Sequence, residues 1–458
     1  MNILMITIGF PPRQVGGTET YVLGLIDALK PLGHQCSVAY MEPFEDPSDK
    51  EFKIEKDSYE GIPIHRVLVN RAHNKTEMVG LDPQLHLKIV EQFKKVVAIV
   101  KPDIVHLHPL RLGMESHLLE ALNNAGWNVV MTHHSSTTTC ARGDLLYMGK
   151  DVCDGLMIRT RCTKCMLNWK AVPSPIAAIM AGISLSWYRR LFRWLEGKQS
   201  LKRLRSLVSM PLLLDESFRN WLRAYSNTRR YVTVCNWVKE VALMNGVPEK
   251  KIVYSRHGLR LVGDHKAAQH NGVTRFGYLG RISPEKGIEL LVNALRRMSP
   301  EAKFEFEFCS FTFNDSRMSP EQRAEVEAVK QLVATDKRIR IINSPTDSNL
   351  ASVLATWDAL VVPSFWLESG PEVIYEAFAV KTPAIGSRRG GIAELVEEGK
   401  SGFLFSPTNV DELTSLLTRF ASDPSELRAM RNKIGPVRTT TQVAEEMEQM
   451  YRAVAAGQ

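Results

Sequence analysis

The stretch Pro363-Ser-Phe-Trp-Leu-Glu-Ser-Gly-Pro-Glu-Val-Ile-Tyr-Glu-Ala-Phe-Ala379 follows a short apolar run, Ala359-Leu-Val-Val362. Four successive apolar residues closed by a proline read as a buried parallel strand. A polar turn ends at Ser369-Gly370. Pro371 suits the first position of a helix, and Glu372 puts a negative charge in its first turn. Val373, Ile374, Ala377 and Phe378 give that helix an apolar face. Glu368 then stands just before the helix and Glu376 within it. The N–H groups of Gly370 to Val373 lack partners one turn earlier, so they form an anion site with a carboxylate on each side. Such a site suits a phosphate linking a sugar to a ribose: N–H groups for the phosphate, carboxylates for hydroxyls. The bland alternative is a strand–loop–helix with solvated glutamates, and the rest of the chain decides between them.

At 458 residues the chain exceeds what one core supports, so two domains are expected. Hydrophobic content of 44% and charged content of 24% are those of a globular protein. No apolar run is long enough to span a bilayer. Met1 to Ile8 reads as a first strand and not as a signal peptide, which leads to the expectation of a cytoplasmic protein. An odd count of seven cysteines argues against a disulfide framework. A net charge of +8 favours anionic partners: nucleotide sugars, anionic lipid surfaces or nucleic acid. Nucleic acid is disfavoured, because no helix-turn-helix, zinc-finger or RNA-binding aromatic motif is present.

The first half opens with a strand from Ile3 to Ile8. The loop Gly9-Phe-Pro-Pro-Arg-Gln-Val-Gly-Gly-Thr18 and a helix from Glu19 to Leu32 follow, then a strand from Gln35 to Tyr40. This is a β-loop-α-β unit. Gly16-Gly17 allows close approach to a ligand and a positive φ. Two further strands end in imidazoles, at His108 and at His133-His134, where parallel sheets place their sites. Each of these histidines alone reads as structural; together at one edge they are candidates.

Cys140, Cys153, Cys162 and Cys165 form a cluster, the last two as Cys-x-x-Cys in a tight turn. A tetrahedral four-thiolate structural zinc is the expectation, with an iron–sulfur cluster or unligated thiols as the other readings. Four thiolates would leave no open position, so no catalytic role is assigned to a metal. Between Tyr188 and Arg205 basic residues interleave with apolar ones. That is the pattern of a cationic amphipathic helix, suited either to anionic lipid headgroups or to packing on its own domain with a solvated basic face.

The interdomain crossing is placed near Ser255, with a linker-like stretch from Gly263 to Thr274. A second alternation of strands and helices then begins at Arg275-Phe-Gly-Tyr-Leu-Gly280. Arg281 and Lys286 sit in its first strand-end loop; a guanidinium fork and an ammonium suit a diphosphate.

Taken together, the chain resembles the retaining glycosyltransferase family 4, of GT-B fold. The resemblance rests on Phe10 to Glu19 with its Gly-Gly, Gly33-His34, Asp103-Ile-Val-His-Leu-His108, Thr132-His-His134, Gly280-Arg281 with Lys286-Gly287, and the Glu-x₇-Glu spacing of Glu368 and Glu376. It implies two facing Rossmann-like doubly wound α/β domains with an interdomain cleft. Residues 1–255 would form the acceptor-side domain, carrying the Cys-rich loop and basic insertion at about 135–230. Residues 256–435 would bind the nucleotide sugar, and a final helix in 436–458 would pack back on the first domain. It also implies a UDP- or GDP-linked donor, hexosyl transfer with retention, and no metal for catalysis. Arg281 and Lys286 would neutralise the diphosphate. Ser369, Gly370, Pro371, Glu372 and Val373 would hold the distal phosphate, Glu376 the ribose, and Glu368 the transferred sugar. Gly16 and Gly17 would close over the phosphates, and His134 would stand near the sugar. The acceptor would be a glycan or lipid-linked saccharide of a surface polysaccharide; the expectation of a peripheral contact with an anionic membrane comes from the basic stretch Tyr188 to Arg205 and not from the resemblance. Where the family often has Asn-Gly, this chain has His257-Gly258. An epimerase or phosphorylase on the same fold, or a non-catalytic scaffold, are the competing readings.

Overall fold

The computed structural model describes residues 1–46, 50–70, 83–110, 114–134, 139–260, 272–314, 318–342 and 349–458. The chain divides into two compact units, Met1–Ser255 with Val443–Gln458, and Arg256–Gln442. Most of the linker-like stretch read at 263–274 lies outside the described residues.

The first unit contains β1 (Asn2–Thr7), β2 (Gln35–Phe44), β3 (Phe52–Tyr59), β4 (Ile62–Asn70), β5 (Ile104–Leu107), β6 (Val129–His133), β7 (Leu146–Tyr147), β8 (Asp151–Val152), β9 (Arg230–Thr233) and β10 (Ile252–Tyr254). Eight of them form one sheet in the order β10-β9-β6-β5-β1-β2-β4-β3. All neighbours are parallel except β3 and β4, a hairpin turned by Glu60 and Gly61 at positive φ. Sequence reasoning passed over this hairpin. In β3 the residues Lys53, Asp57 and Ser58 are exposed, so it lacks the apolar run that marks a central strand. The order reverses between β1 and β5, and strand ends on either side of such a reversal open a crevice. The helix Thr440–Ala455 places Val443, Met447, Met450 and Tyr451 in the same apolar cluster as Ile3, Met5 and Tyr21.

The second unit holds β11 (Thr274–Leu279), β12 (Phe304–Cys309), β13 (Ile339–Ile342), β14 (Ala359–Val362), β15 (Ala384–Ser387) and β16 (Gly402–Phe405). They run parallel in the order β13-β12-β11-β14-β15-β16. This is the doubly wound Rossmann order, with its switch point between β11 and β14. Phe304, Phe306 and Phe308 alternate along β12 and are all buried, each contributing about 1.5–3 kcal/mol of apolar transfer. Gly277 lets β11 lie against Trp357, since a Cβ there would stand 2.1 Å from the indole. Trp357 in turn donates Nε1–H to Glu307 at 2.6 Å.

Two local expectations change. Cys162 and Cys165 lie in the helix Arg159–Trp169 and not in a tight turn. The basic stretch is not one helix: Leu185–Trp194 and Lys202–Ser226 are separated by a turn in which Gly197 takes φ 76°. A left-handed glycine ends a helix because it has no Cβ to clash.

Candidate functional site

In the second unit the loops after β11 and β14 meet at the switch point. Gly280, at φ 152°, turns the chain out of β11, and the Tyr278 hydroxyl donates to the Arg281 carbonyl at 2.5 Å. The 3₁₀ turn Pro284–Lys286 ends at Gly287, which takes φ 72°. A Cβ on Gly287 would lie 2.0 Å from the Pro363 carbonyl oxygen, so only glycine allows this loop to press against the end of β14. Phe365 N–H donates to the Glu285 carbonyl at 2.9 Å and ties the two loops.

That packing sets Lys286 Nζ 2.5 Å from Glu368 Oε1. The same oxygen accepts from Ser364 Oγ at 2.9 Å. The Lys286 ammonium also stands 5.7 Å from the centre of the Trp366 ring. Burial by itself would raise the Glu368 carboxyl, but the ammonium outweighs it and holds the group below its usual range. Glu368 therefore stays a carboxylate although its side chain is only 11% exposed. Arg281 is more open, with Glu285 Oε1 at 3.8 Å.

The helix runs from Glu372 to Ala379, with Pro371 in extended conformation as its cap and not its first residue. In its first turn the Ile374 N–H donates to the Pro371 carbonyl at 3.0 Å, while the Glu372 and Val373 N–H groups come too early to have an intrahelical partner. Glu372 and Glu376 are four residues apart on one side of it. Burial, with Glu376 adding to it, pushes the Glu372 carboxyl up to about 8. Two carboxyls in one short stretch are thus shifted in opposite directions, and the ammonium beside Glu368 is the difference.

Sequence reasoning missed what supports this stretch from behind. Gly391 N–H donates to the Glu368 carbonyl at 2.6 Å. Cβ atoms on Gly390 and Gly391 would come within 2.8 Å of the Glu368 oxygen and 2.6 Å of the Ser369 carbonyl carbon. His257, buried and held down to about 4 by that burial, lies 3.4 Å from the Gly370 carbonyl through Nδ1. The Gly390-Gly391 pair opens the helix Gly390–Leu395. Nothing in the sequence says which backbone it faces.

In the first unit, Gly16 caps the helix Gly17–Leu29 in extended conformation (φ −164°). Neither Gly16 nor Gly17 takes the positive φ that their pairing suggested, because the helix starts directly at Gly17. Their use is room: a Cβ on Gly16 would meet the Glu19 carboxylate at 2.8 Å, while Gly17 has open space around it. The strand-end histidines separate into two groups. His134 Nε2 lies 2.9 Å from His108 Nδ1, with the two rings stacked. His106 joins them, bonded to the Tyr451 hydroxyl at 2.6 Å and to Thr132 Oγ1 at 2.7 Å. His133 points the other way, against Trp221 and Tyr231. Burial lowers His106 to about 3 and His108 well below the ordinary range, so both rings are neutral.

Cys140, Cys153, Cys162 and Cys165 border one cavity of about 580 Å³, which Glu115 also lines. The expected ligand set is not assembled: among the described residues no three His, Cys, Asp or Glu side chains are placed to hold a metal ion. The sulfurs have other neighbours instead. Met148 N–H donates to Cys165 Sγ at 3.1 Å, and Arg161 stands 3.9 Å from Cys153 Sγ. Burial raises the Cys162 thiol to about 11, so it keeps its proton at neutral pH. Glu115 Oε2 meets no hydrogen-bond partner among the described residues, and burial pushes that carboxyl up to about 7.

Comparison with known proteins assigns both halves of the chain. Residues 264–436 match the family described as glycosyl transferases group 1, and residues 15–261 match glycosyltransferase family 4. An uncharacterised 42.6 kDa protein of the cps region of Klebsiella pneumoniae is 23% identical over 402 residues, 86% of this chain and 87% of that one. The MMP alpha-(1->4)-mannosyltransferase of Mycolicibacterium hassiacum is 30% identical over 148 residues, 32% of this chain and 34% of its own length. Among solved structures, the sucrose-phosphate synthase of Thermosynechococcus elongatus superposes with a TM-score of 0.63 at 18% identity, covering all of both chains. Anabaena HepE in complex with UDP and glucose superposes with a TM-score of 0.58 at 14% identity, over 99% of this chain and 100% of that one. These likenesses agree with the two Rossmann-like units, the domain type of GT-B glycosyltransferases. With the family-4 match spanning more than half of its residues, this chain belongs to glycosyltransferase family 4.

Proposed function

We propose that the protein transfers a hexosyl group, with retention of configuration, from a UDP- or GDP-linked sugar to a glycan or lipid-linked saccharide in surface polysaccharide synthesis. The observation that carries this reading is the Lys286–Glu368 pair at the β11/β14 switch point, beside the start of the helix Glu372–Ala379. Breaking the glycosidic bond leaves charge on the departing diphosphate. Lys286, held in place by Glu368, and the more open Arg281 supply two cations that stabilise that charge. Two side-chain cations fill the role a divalent ion would otherwise take, and no metal enters the step. Glu376 accepts from the ribose hydroxyls. Glu368 holds the Lys286 ammonium and presents its carboxylate to the transferred sugar. No side chain is assigned as nucleophile: the acceptor attacks on the face the diphosphate leaves, through an oxocarbenium-like state. Gly16, Gly17 and His134 share one edge of their own sheet, and we assign them to the donor on the family resemblance. The relatives support the polysaccharide setting: one is a putative colanic acid biosynthesis glycosyltransferase of Salmonella typhimurium.

Nucleotide diphosphate release from a panel of UDP- and GDP-sugars, with saccharide acceptors, tests the donor class. The anomeric configuration of the product, read by NMR, tests retention; an inverted product overturns it. Near-normal turnover in both Lys286→Ala and Glu376→Ala would remove the site.

A further inference from the structure

The segment from Ser174 to Ser206 has no part in the donor site, yet it concentrates two unusual features. It carries seven basic residues and one acidic residue, Glu196, in a chain whose net charge is +8. It also leaves large apolar side chains in solvent: Ile176 (51% exposed), Ile179 (72%), Trp187 (48%) and Trp194 (59%). These are not failed core positions, because the same helices have a separate, well-packed inner side. In Leu185–Trp194, Tyr188 is fully buried and its hydroxyl donates to the Met180 carbonyl at 2.7 Å. Leu195 and Val208 close around it. In Ser174–Gly182, Ala177 packs with Leu167 and Val172. Ile176 and Ile179 are one turn apart on the outer side of their helix. Trp187, Arg190 and Trp194 follow at spacings of three and four on the outer side of theirs. Arg193, Lys202 and Arg203 project into solvent nearby in the chain.

We propose that the exposed side of Leu185–Trp194, Trp187 and Trp194 with the arginines and lysines around them, docks the protein on an anionic phospholipid surface, with the exposed Ile176 and Ile179 carried by the preceding helix of the same insertion. Indoles favour the headgroup boundary, where an apolar ring and a polar N–H are both accommodated. Cations around such a stripe add attraction to acidic headgroups, within a Debye length of the surface. A second copy is a poor occupant, since it would set the same cations against each other. The contact is superficial: among the described residues no helix is long and apolar enough to cross a membrane. The inference stands apart from the assignment of donor and acceptor, and its test does not use turnover.

Sedimentation of the full chain with vesicles of phosphatidylcholine, alone or mixed with phosphatidylglycerol, decides it. Binding is expected only with phosphatidylglycerol, and should weaken as salt rises. Arg190→Glu with Arg193→Glu and Lys202→Glu should lower vesicle partitioning on the order of 10²-fold or more. Trp187→Ser with Trp194→Ser should lower it as well, with unchanged thermal denaturation showing that the fold survives. Should the serine pair unfold the insertion, the charge-reversal variant alone carries the test, because its side chains are exposed. No sedimentation, equal binding to neutral vesicles, or binding unaffected by both sets would overturn the proposal. So would concentration-dependent self-association in light scattering that the tryptophan variants abolish, because a second copy would then cover the face.

Discussion

The two sheets treat their strand-end ionisable groups in opposite ways. At the second unit's switch point, Glu368 is mostly buried and stays charged, because Lys286 sits against it. At the first unit's edge, His106 and His108 are buried and stay neutral, because no carboxylate among the described residues offsets that burial. Burial is common to both; the partner differs. Charge is held ready where a diphosphate would have to be neutralised. Where the groups lie in a hydrogen-bonded stack, burial has taken the charge away.

Removing the ammonium breaks the contrast most sharply. Lys286→Ala should lower turnover on the order of 10²-fold or more, as loss of an electrostatic donor does elsewhere, measured as nucleotide diphosphate release. Glu368 should then lose what keeps its carboxyl low. Next comes the backbone that forms the pair. Gly287→Ala adds a Cβ at φ 72° beside the Pro363 carbonyl. It should cost about 1–3 kcal/mol of stability, read by denaturant unfolding, and should reduce turnover with Lys286 intact.

The histidines sharpen the other side of the comparison through acid. The folded His106 value, about 3, lies below the ordinary value of about 6.5. Its neutral form is favoured in the fold, so the stability it supports is complete above about 6.5 and is lost as pH falls toward 3. His106→Gln should flatten the acid limb of stability against pH, measured by thermal denaturation across that window. Tyr451→Phe, which removes the hydroxyl from His106 Nδ1, should cost about 1 kcal/mol near neutral pH. The smallest effect is at Glu372. Its folded value, about 8, is raised, so the stability linked to it is present at low pH and declines as pH rises toward and through 8. Glu372→Gln cannot charge, so its melting temperature should rise above that of the parent progressively between about pH 4.5 and 8, with little change below about 4.5.

Much of this is legible in the residues alone. Ala359-Leu-Val-Val362 read as a buried strand because only a two-sided parallel strand hides four apolar residues in a row. Lys286, Glu368 and the helix start were named from residue type and spacing. The β3–β4 hairpin was not, because β3 shows water too many polar side chains. The helical Cys162-x-x-Cys165 was not, because that spacing fits a turn and a helix equally well.

Local sequence thus determined the alternation of strands and helices, the charged and glycine-rich loops at strand ends, and the family. Those depend on periodicity and on residue chemistry within a few positions. Only the tertiary structure decided that Lys286 meets Glu368, that Gly390-Gly391 braces its backbone, and that His134 joins the histidine stack while His133 enters the core. Those contacts join residues far apart in the chain. Strand order and the side of the sheet on which a side chain falls set them, and neither is written in any one stretch.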